Sequence, residues 1–374
     1  MAGVVESGFS GNTHASGSGP AVHEDLSDLL AVVDAKSTPV TSQIPKGRAA
    51  GGTTFHWQAD GHVGNVTTGT VDGTDVTTTI TDSGLTDTSA GRKLLKNNVQ
   101  IFRRAGRVSL LAENVANSAG VRSELAHMVS RLILTQKRDI EKTISSKNDA
   151  QDGSASAAFQ TKALQSWLNS AGHNKVVNAA LSTGGADCPA KVDSTYAVRS
   201  GAIKTVAKSA FTADNVQDVL EAIYGQTGVV RDYDLICDPQ VKRAFTGFAE
   251  TKIDESDESA THSATRIRTL NKEQADRSFV STIDVFTGDF GTLRLHVSNF
   301  IEKADTVGSS VSLDNEFGCG MILPMDMLEL KYNMTTNVKP MTNNGGGEGR
   351  IITTIAGLAH KNPLSSGLIN FSAA

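Results

Sequence analysis

The sequence predicts an α+β fold put together from three unlike parts. A stretch rich in Thr and Gly has almost nothing to bury, a run near residue 130 repeats its apolar side chains at helical spacing, and a strand–turn–helix pattern follows Thr212.

The first of these, residues 47–91, holds twelve Thr, nine Gly and five Asp among 45 residues, with Arg48 as its one strong base. Thr favours strands and Gly marks turns, so the composition predicts a long twisted β-hairpin excursion. A compact domain rarely carries so long a segment with so little core unless it packs on something else. A disordered surface loop is the blander reading. The charge then reverses, because residues 92–107 contain six Lys or Arg and no acid. This strip reads either as a solvated strand or as a surface that meets acid, such as the hairpin of a neighbouring copy. Packaged DNA is a weaker second partner, since Phe102 is the only aromatic in the strip.

The helix comes next. Val121, Leu125, Met128, Val129, Leu132, Ile133, Ile140 and Ile144 share one face of a predicted helix over 119–145, interrupted at Gln136. Lys137 and Glu141 sit four apart, which places them on the outer face as a modest supporting pair. A helix of that length would reach roughly 40 Å.

Residues 148–200 are polar and poorly periodic and read as loop. Thr212 then caps a helix bearing Val216, Val219, Leu220 and Ile223, which Gly225 ends. A strand from Tyr233 to Cys237 runs into Asp238-Pro239, an N-cap followed by proline at the first helical position. Phe279–Phe286 and Thr292–Val297 flank a turn, and Leu293, Leu295 and Val297 form the buried face of the second strand. A last strand falls within 350–359, after the glycine-rich Asn343–Gly349. At the other end, residues 1–24 contain five Gly and four Ser and read as a flexible arm, with a short helical face beginning at Asp25.

The 374 residues allow a well-buried core, and 39% hydrophobic against 20% charged residues is an ordinary globular composition. A net charge of −5 argues against a sequence-specific DNA binder. Cys188, Cys237 and Cys319 are far apart and odd in number, so they read as free thiols in a reducing compartment. No run is apolar enough for a membrane span, so no membrane partner is expected.

Chemistry is hard to find. No Gly-Lys dipeptide exists, which removes the phosphate-cradling P-loop, and Gly345–Gly349 fits no dinucleotide fingerprint. No Cys-x-x-Cys or His-Glu-x-x-His supports a metal, and no Ser or Cys sits in a nucleophile elbow. Asp72 and Asp75 lack the rest of a calcium loop. The expectation is therefore no catalytic residue, no metal and no cofactor.

Several local strings resemble the major head protein family of tailed phages. Glu24-Asp-Leu-Ser-Asp28 is similar to that family's first ordered segment, and Ser37-Thr-Pro39 to its Thr-Pro-Phe turn, with Val40 replacing the aromatic. Phe55-His-Trp-Gln-Ala-Asp60 resembles the start of its extended loop, with one intervening residue missing, and Asn97-Asn-Val-Gln-Ile101 the strand returning from it. Ser123-Glu-Leu-Ala126 and Lys137-Arg-Asp-Ile-Glu141 look like two phrases of its long helix. The likeness is clearest over 24–145 and returns loosely at Phe290-Gly-Thr-Leu293 and Ile351–Ala359.

The resemblance implies the Hong Kong 97-type capsid fold. Residues 1–46 would be the N-terminal arm and first ordered segment, 47–97 the extended loop, and 98–149 a peripheral domain with the spine helix. Residues 150–335 would be the axial domain, and 336–374 the returning peripheral strand and C-terminus. It implies a structural protein of the virion, assembled in the host cytoplasm from copies of itself in hexamers and pentamers. Packaged double-stranded DNA lies inside, with portal, scaffold and cementing proteins as further partners. Arg103, Arg104, Asp72, Asp75 and Asp82 are the candidate contacts between subunits. Reversing Arg103 and Arg104 to Glu is expected to impair assembly but not folding. An encapsulin-like compartment shell is the nearer alternative, separated by whether particles hold genomic DNA. A hydrolase built on residues 210–300 is the more distant one, and it predicts a small oligomer with turnover.

Overall fold

The computed structural model describes residues 37–48, 50–59, 72–73, 93–115, 123–154, 157–168, 198, 200–248, 283–302, 318–343 and 345–372. In chain order the first elements are α1 (Pro39–Gln43), β1 (Thr54–Ala59), β2 (Lys93–Asn98), β3 (Gln100–Val108), α2 (Leu110–Val115) and α3 (Glu124–Ile144). There follow α4 (Leu164–Trp167), β4 (Ile203–Ala207), α5 (Ala213–Thr227), β5 (Arg231–Cys237), α6 (Pro239–Gly247) and β6 (Val285–Gly288). The last are β7 (Gly291–Val297), β8 (Cys319–Leu323), β9 (Leu328–Pro340), β10 (Glu348–His360) and β11 (Gly367–Ser372). The described residues form two compact units, one within 105–132 and 339–351, the other within 37–104, 133–338 and 352–374.

The larger unit is built on a six-stranded mixed sheet of order β4-β11-β8-β5-β7-β6. Its centre is β8, buried at every position, which is why Cys319–Leu323 reads as an unbroken apolar run without alternation. Helix α5 buries Val216, Val219, Leu220 and Ile223, the predicted stripe, over β11 and β4. It approaches so closely that a Cβ on Gly367 would lie 2.7 Å from Val219 Cγ1. The helix ends at Gly228 rather than Gly225. Gly228 takes the left-handed conformation (φ 65°) and its N–H returns to the Tyr224 carbonyl, whereas Gly225 has open space around it. Helix α6 begins as expected, with the Asp238 carboxylate accepting from Gln240 N at 3.2 Å and Pro239 in the first turn. Its Phe245 joins Phe211, Phe248, Phe286 and Phe371 in an aromatic cluster with centroids 5.0–6.5 Å apart. Val297, expected on the buried face of β7, is instead 44% exposed, because the strand ends there.

A three-stranded sheet, β3-β10-β9, and the β1–β2 pair complete the strands. Helix α3 runs from Glu124 to Ile144, shorter than expected, and residues 116–122 lie outside the description. Gln136, the interruption on its apolar face, is buried where it bonds two strands. Its Nε2 donates to the carbonyls of Phe102 (2.8 Å) and Ile352 (3.3 Å), and its Oε1 accepts from Thr354 (3.1 Å). Glu141 is not on the outer face beside Lys137. It is fully buried, and its two carboxylate oxygens accept the Val40 and Thr41 N–H groups, both at 2.8 Å. The free amides at the start of α1 need an acceptor, and a carboxylate at a helix N-terminus supplies one with favourable charge. Residues 162–168, expected as loop, are also buried and carry α4.

In the smaller unit Gly106 of β3 lies under α3, where a Cβ would come within 2.6 Å of Met128 Sδ. The Glu113 carboxylate joins α2 to the start of α3, accepting from Ser123 Oγ (2.7 Å) and Leu125 N (2.9 Å). These bonds, Ser123's first, hold its carboxyl below the usual range. The glycine-rich Asn343–Gly349 is the β9–β10 turn, with Gly345 and Gly347 at φ 90° and 104°.

Candidate assembly surfaces

The segment with least to bury is held at its base. β1 and β2 pair antiparallel from Thr54↔Asn98 to Ala59↔Lys93, so the two ends of the Thr-rich stretch lie side by side. Residues 60–71 and 74–92 lie outside the described residues, and with them Asp75 and Asp82. Asp72 sits in an exposed turn before Gly73, whose φ of 80° suits glycine.

The base is latched by Asn97 and Asn98, both fully buried. Asn97 Oδ1 accepts from Asn98 N and Lys162 N, each at 2.8 Å. Its Nδ2 donates to the Leu358 carbonyl of β10 at 2.5 Å, with Thr161 Oγ1 at 3.2 Å and the Lys162 carbonyl at 3.3 Å. Asn98 Nδ2 reaches the Gln151 carbonyl and Asp152, and its Oδ1 accepts from Thr54 Oγ1. Two adjacent amides thus tie the hairpin base to β10 and to residues 151–162. Lys162 is itself buried and paired with Asp149 at 3.0 Å.

Alternation in Phe55-His-Trp-Gln sends Phe55 and Trp57 inward and His56 and Gln58 out. Phe55 and Trp57 stack at 5.9 Å, Trp57 continues to Trp167 at 5.7 Å, and Trp167 to His360 at 6.2 Å. His360 is wholly buried, bonds Ser366 Oγ at 2.9 Å, and has its pKa pushed down to about 3 by desolvation. Gly357 is required beneath this stack, since a Cβ there would lie 2.6 Å from Phe55 Cε1.

Arg103 and Arg104 are neighbours on β3, both exposed. Arg104 is engaged within its own chain: Nε and Nη2 meet the two Asp139 oxygens at 2.6 and 2.7 Å, which raises the guanidinium's pKa. Arg103 has no ion-pair partner among the described residues. The structure thus separates two arginines that the sequence treats alike. Asp139 could have been suspected from sequence, since it lies on α3 beside the expected strip, but nothing in its spacing names Arg104. Next to this pair an open groove of about 810 Å³ runs along α3, lined by Arg104, Arg138, Lys142, Asn148, Phe300 and Glu302. Exposed apolar side chains lie on the same strands, Leu94 at 61% and Ile101 at 52%.

Neither described thiol is placed for chemistry. Cys237 and Cys319 are buried, and burial pushes both up to about 12, so they stay protonated at neutral pH. Cys188 lies outside the described residues. Within 210–300, His296 Nε2 meets Asp234 at 3.1 Å across β7 and β5, beside the pair Arg294–Asp232 at 3.5 Å. These are cross-strand partners on the wetter face of the sheet. No described helix is long and apolar enough to cross a membrane.

The described frame is a paired β1–β2 base, a long helix and a mixed sheet, and the sequence relationship names it. Residues 5–372 match the profile of the SU10 major capsid protein family. The chain belongs to that family. Its fold is also that of solved phage capsids. The Cyanophage A-1(L) capsid subunit is similar with a TM-score of 0.58 at 12% identity, covering 93% of this chain and 96% of that one. The capsid of Cyanophage P-SCSP1u gives 0.54 at 9% identity over 95% and 94%. The capsid of a native GTA particle gives 0.54 at 10% over 96% and 99%. No curated protein matches the sequence. The protein is therefore a major capsid protein of tailed phages with the Hong Kong 97-type fold, a self-assembling structural protein of the virion. The family match decides between the two shell readings, because it is to a phage capsid protein and not to a compartment shell.

Proposed function

We propose that copies of this chain close as hexamers and pentamers into the icosahedral head of a tailed double-stranded DNA phage and enclose its packaged genome. The role is structural, with no catalytic site, metal or cofactor. Assembly takes place in the host cytoplasm, with portal, scaffold and cementing proteins as further partners. In this reading residues 1–46 are the arm, 47–97 the extended loop and 98–149 the peripheral domain with its spine helix. Residues 150–335 are the axial domain, and 336–374 return to the peripheral domain.

The observation that carries the reading is the latched hairpin. Its base is fixed by two adjacent buried amides of β2, Asn97 and Asn98, yet the composition of 60–91 offers little to bury. A two-stranded ribbon is marginal by itself in water, so a segment of this composition on a fixed base draws its stability from a neighbour. The neighbour is a second copy, and repetition around a closed shell satisfies every such arm.

Between copies, the acidic hairpin bearing Asp72, Asp75 and Asp82 meets the basic strip of the next subunit. Arg103 is the better test of this pairing than Arg104. Reversing Arg104 also breaks its pair with Asp139 and sets two carboxylates together within one chain, confounding folding with assembly. Arg103→Glu is expected to lower the yield of closed shells severalfold while shifting the Tm of the unassembled subunit by no more than about 2 °C. Negative-stain microscopy of wild type and variant reads both outcomes. Closed shells of wild-type yield from Arg103→Glu would remove the charge pairing, and small particles only from the wild type would remove the head.

A further inference from the structure

Strand β9 is an edge of its sheet, and its two halves differ. The first half is covered by the chain itself. Lys46 bridges Leu330 in parallel, Leu330 N donates to the Pro45 carbonyl, and the Leu330 and Tyr332 carbonyls accept Gly47 N and Ala50 N. Asn333 Nδ2 then holds the Ala50 carbonyl at 2.8 Å, and the covering segment turns away into β1. Beyond that point Thr335 to Pro340 are exposed at all six positions, without the alternation a covered strand shows. Among the described residues, no backbone hydrogen bond outside the sheet reaches 334–338.

The direction of the free groups follows from two independent sets of bonds. Leu330 and Tyr332 face outward to the covering segment, so even-numbered residues present their N–H and C=O to the open edge. At the other end, Met341 N donates inward to the Gly349 carbonyl of the partner strand, so odd-numbered residues face β10. Thr336 and Thr354 touch hydroxyl to hydroxyl at 3.0 Å, as side chains do in the closer, non-hydrogen-bonded pairs of an antiparallel ladder. Met334, Thr336 and Val338 therefore present the outward groups. Pro340, the next even residue, has no N–H to present, which bounds the free edge.

An open edge is a template for another strand, and proteins that must stay single blunt such edges with charge, Pro or bulges. Here Asn333-Met-Thr-Thr-Asn-Val338 contains no charge, and the blunting residues Lys339 and Pro340 come only at its end. We infer that the outer edge of β9 at Met334–Val338 receives an extended strand from a second copy of this chain, continuing the row that residues 45–50 begin. This rests on the head-forming reading and gives it a receiving surface. The occupant is a second copy because the protein assembles with itself and because its own covering strand has already left the edge at Ala50. Main-chain bonds provide the affinity, and the flanking Thr and Asn side chains set the register.

The test compares even and odd residues. Hydrogen exchange resolved to single amides in unassembled subunits and in wild-type shells should show protection of Thr336 and Val338 rising about tenfold or more on assembly. Thr335 and Asn337, bonded to β10 in both states, should change little. Thr336→Pro removes an outward N–H and no main-chain bond to β10, losing there only the Thr354 hydroxyl contact, so the subunit should fold with a slightly lowered Tm and lose most of its shell yield. Thr335→Pro removes a bond to β10 and should unfold the sheet, the control for an inward position. Unchanged exchange at Thr336 and Val338, with wild-type assembly of Thr336→Pro, overturns the inference while leaving the head reading intact. Protection already present in the unassembled subunit overturns it too, because the chain would then cover its own edge. Absence of shells from the wild type overturns both readings together.

Discussion

Asn97 is the residue on which the hairpin base turns, and its contribution follows from its bonds. Alanine at this position leaves two buried N–H groups, those of Asn98 and Lys162, without their 2.8 Å acceptor. It also leaves the Leu358 carbonyl without its 2.5 Å donor. An unsatisfied buried polar group costs about 1–3 kcal/mol, and three are created, so the loss amounts to about 3–6 kcal/mol once some water enters the space. Asn97→Asp separates the two halves of the amide. It keeps an acceptor for both N–H groups but turns an anion toward Leu358, Lys162 and Thr161 oxygens. The aspartate variant should thus be at least as unstable as alanine at pH 7, and should recover part of the difference as falling pH protonates the new carboxyl and restores one donor. Urea unfolding of unassembled subunits at pH 7 and pH 5 measures all of this, with shell yield by microscopy as the functional readout. A loss below about 1 kcal/mol for Asn97→Ala, or no pH dependence separating Asp from Ala, would refute the latch.

The remaining outcomes concern the aromatic stack beside this base. Because the folded state holds His360 neutral with a pKa of about 3 while the unfolded chain titrates near 6.5, its contribution is complete above pH 6.5. It is lost as pH falls toward 3, at about 1.4 kcal/mol per unit. His360→Gln should flatten that part of the stability profile, and an unchanged slope between pH 6.5 and 4.5 would contradict it. Gly357→Ala places a Cβ 2.6 Å from Phe55 Cε1 and 2.8 Å from the Asn98 carbonyl. Since one of those is backbone, the variant should lose about 1–3 kcal/mol, and a change under about 0.5 kcal/mol in urea would show that the base is looser than described.

Periodicity made some of this legible and could not reach the rest. The stripe Val216, Val219, Leu220, Ile223 and the Asp238-Pro239 start are local patterns, and each folds where its pattern says. The two ends of the hairpin base were visible only through a resemblance, in which Phe55–Asp60 and Asn97–Ile101 look like the start and return of a family's extended loop. Glu141 and Gln136 show the limit. Both are polar residues in a helical run, which spacing alone assigns to solvent or to an interruption. Each is buried by a partner far away in sequence: Val40 and Thr41 for Glu141, Phe102 and Thr354 for Gln136. Arg103 and Arg104 are indistinguishable as letters. Only the position of Asp139 on α3 gives Arg104 an ion-pair partner, while Arg103 has none among the described residues.

The contrast among helices bears on why a subunit of this design needs copies. Helices α5 and α6 bury their stripes Val216, Val219, Leu220, Ile223 and Val241, Phe245 fully against the six-stranded sheet within one chain. Helix α3 carries a stripe of the same kind, yet only Gln136, Ile140, Glu141 and Ile144 at its C-terminal end are buried. Leu125, Met128, Val129, Leu132 and Ile133 stay half-covered. The β1–β2 ribbon repeats the pattern: Phe55 and Leu95 are buried, while Leu94 is 61% exposed. Half-covered apolar faces cost stability in a free subunit and return it when a partner covers them, at roughly 25 cal/mol per Å² of surface removed from water. The mixed sheet folds the chain. Under the proposed function, the incomplete faces of α3 and of the β1–β2 ribbon, together with the edge of β9, are what one copy would offer the next.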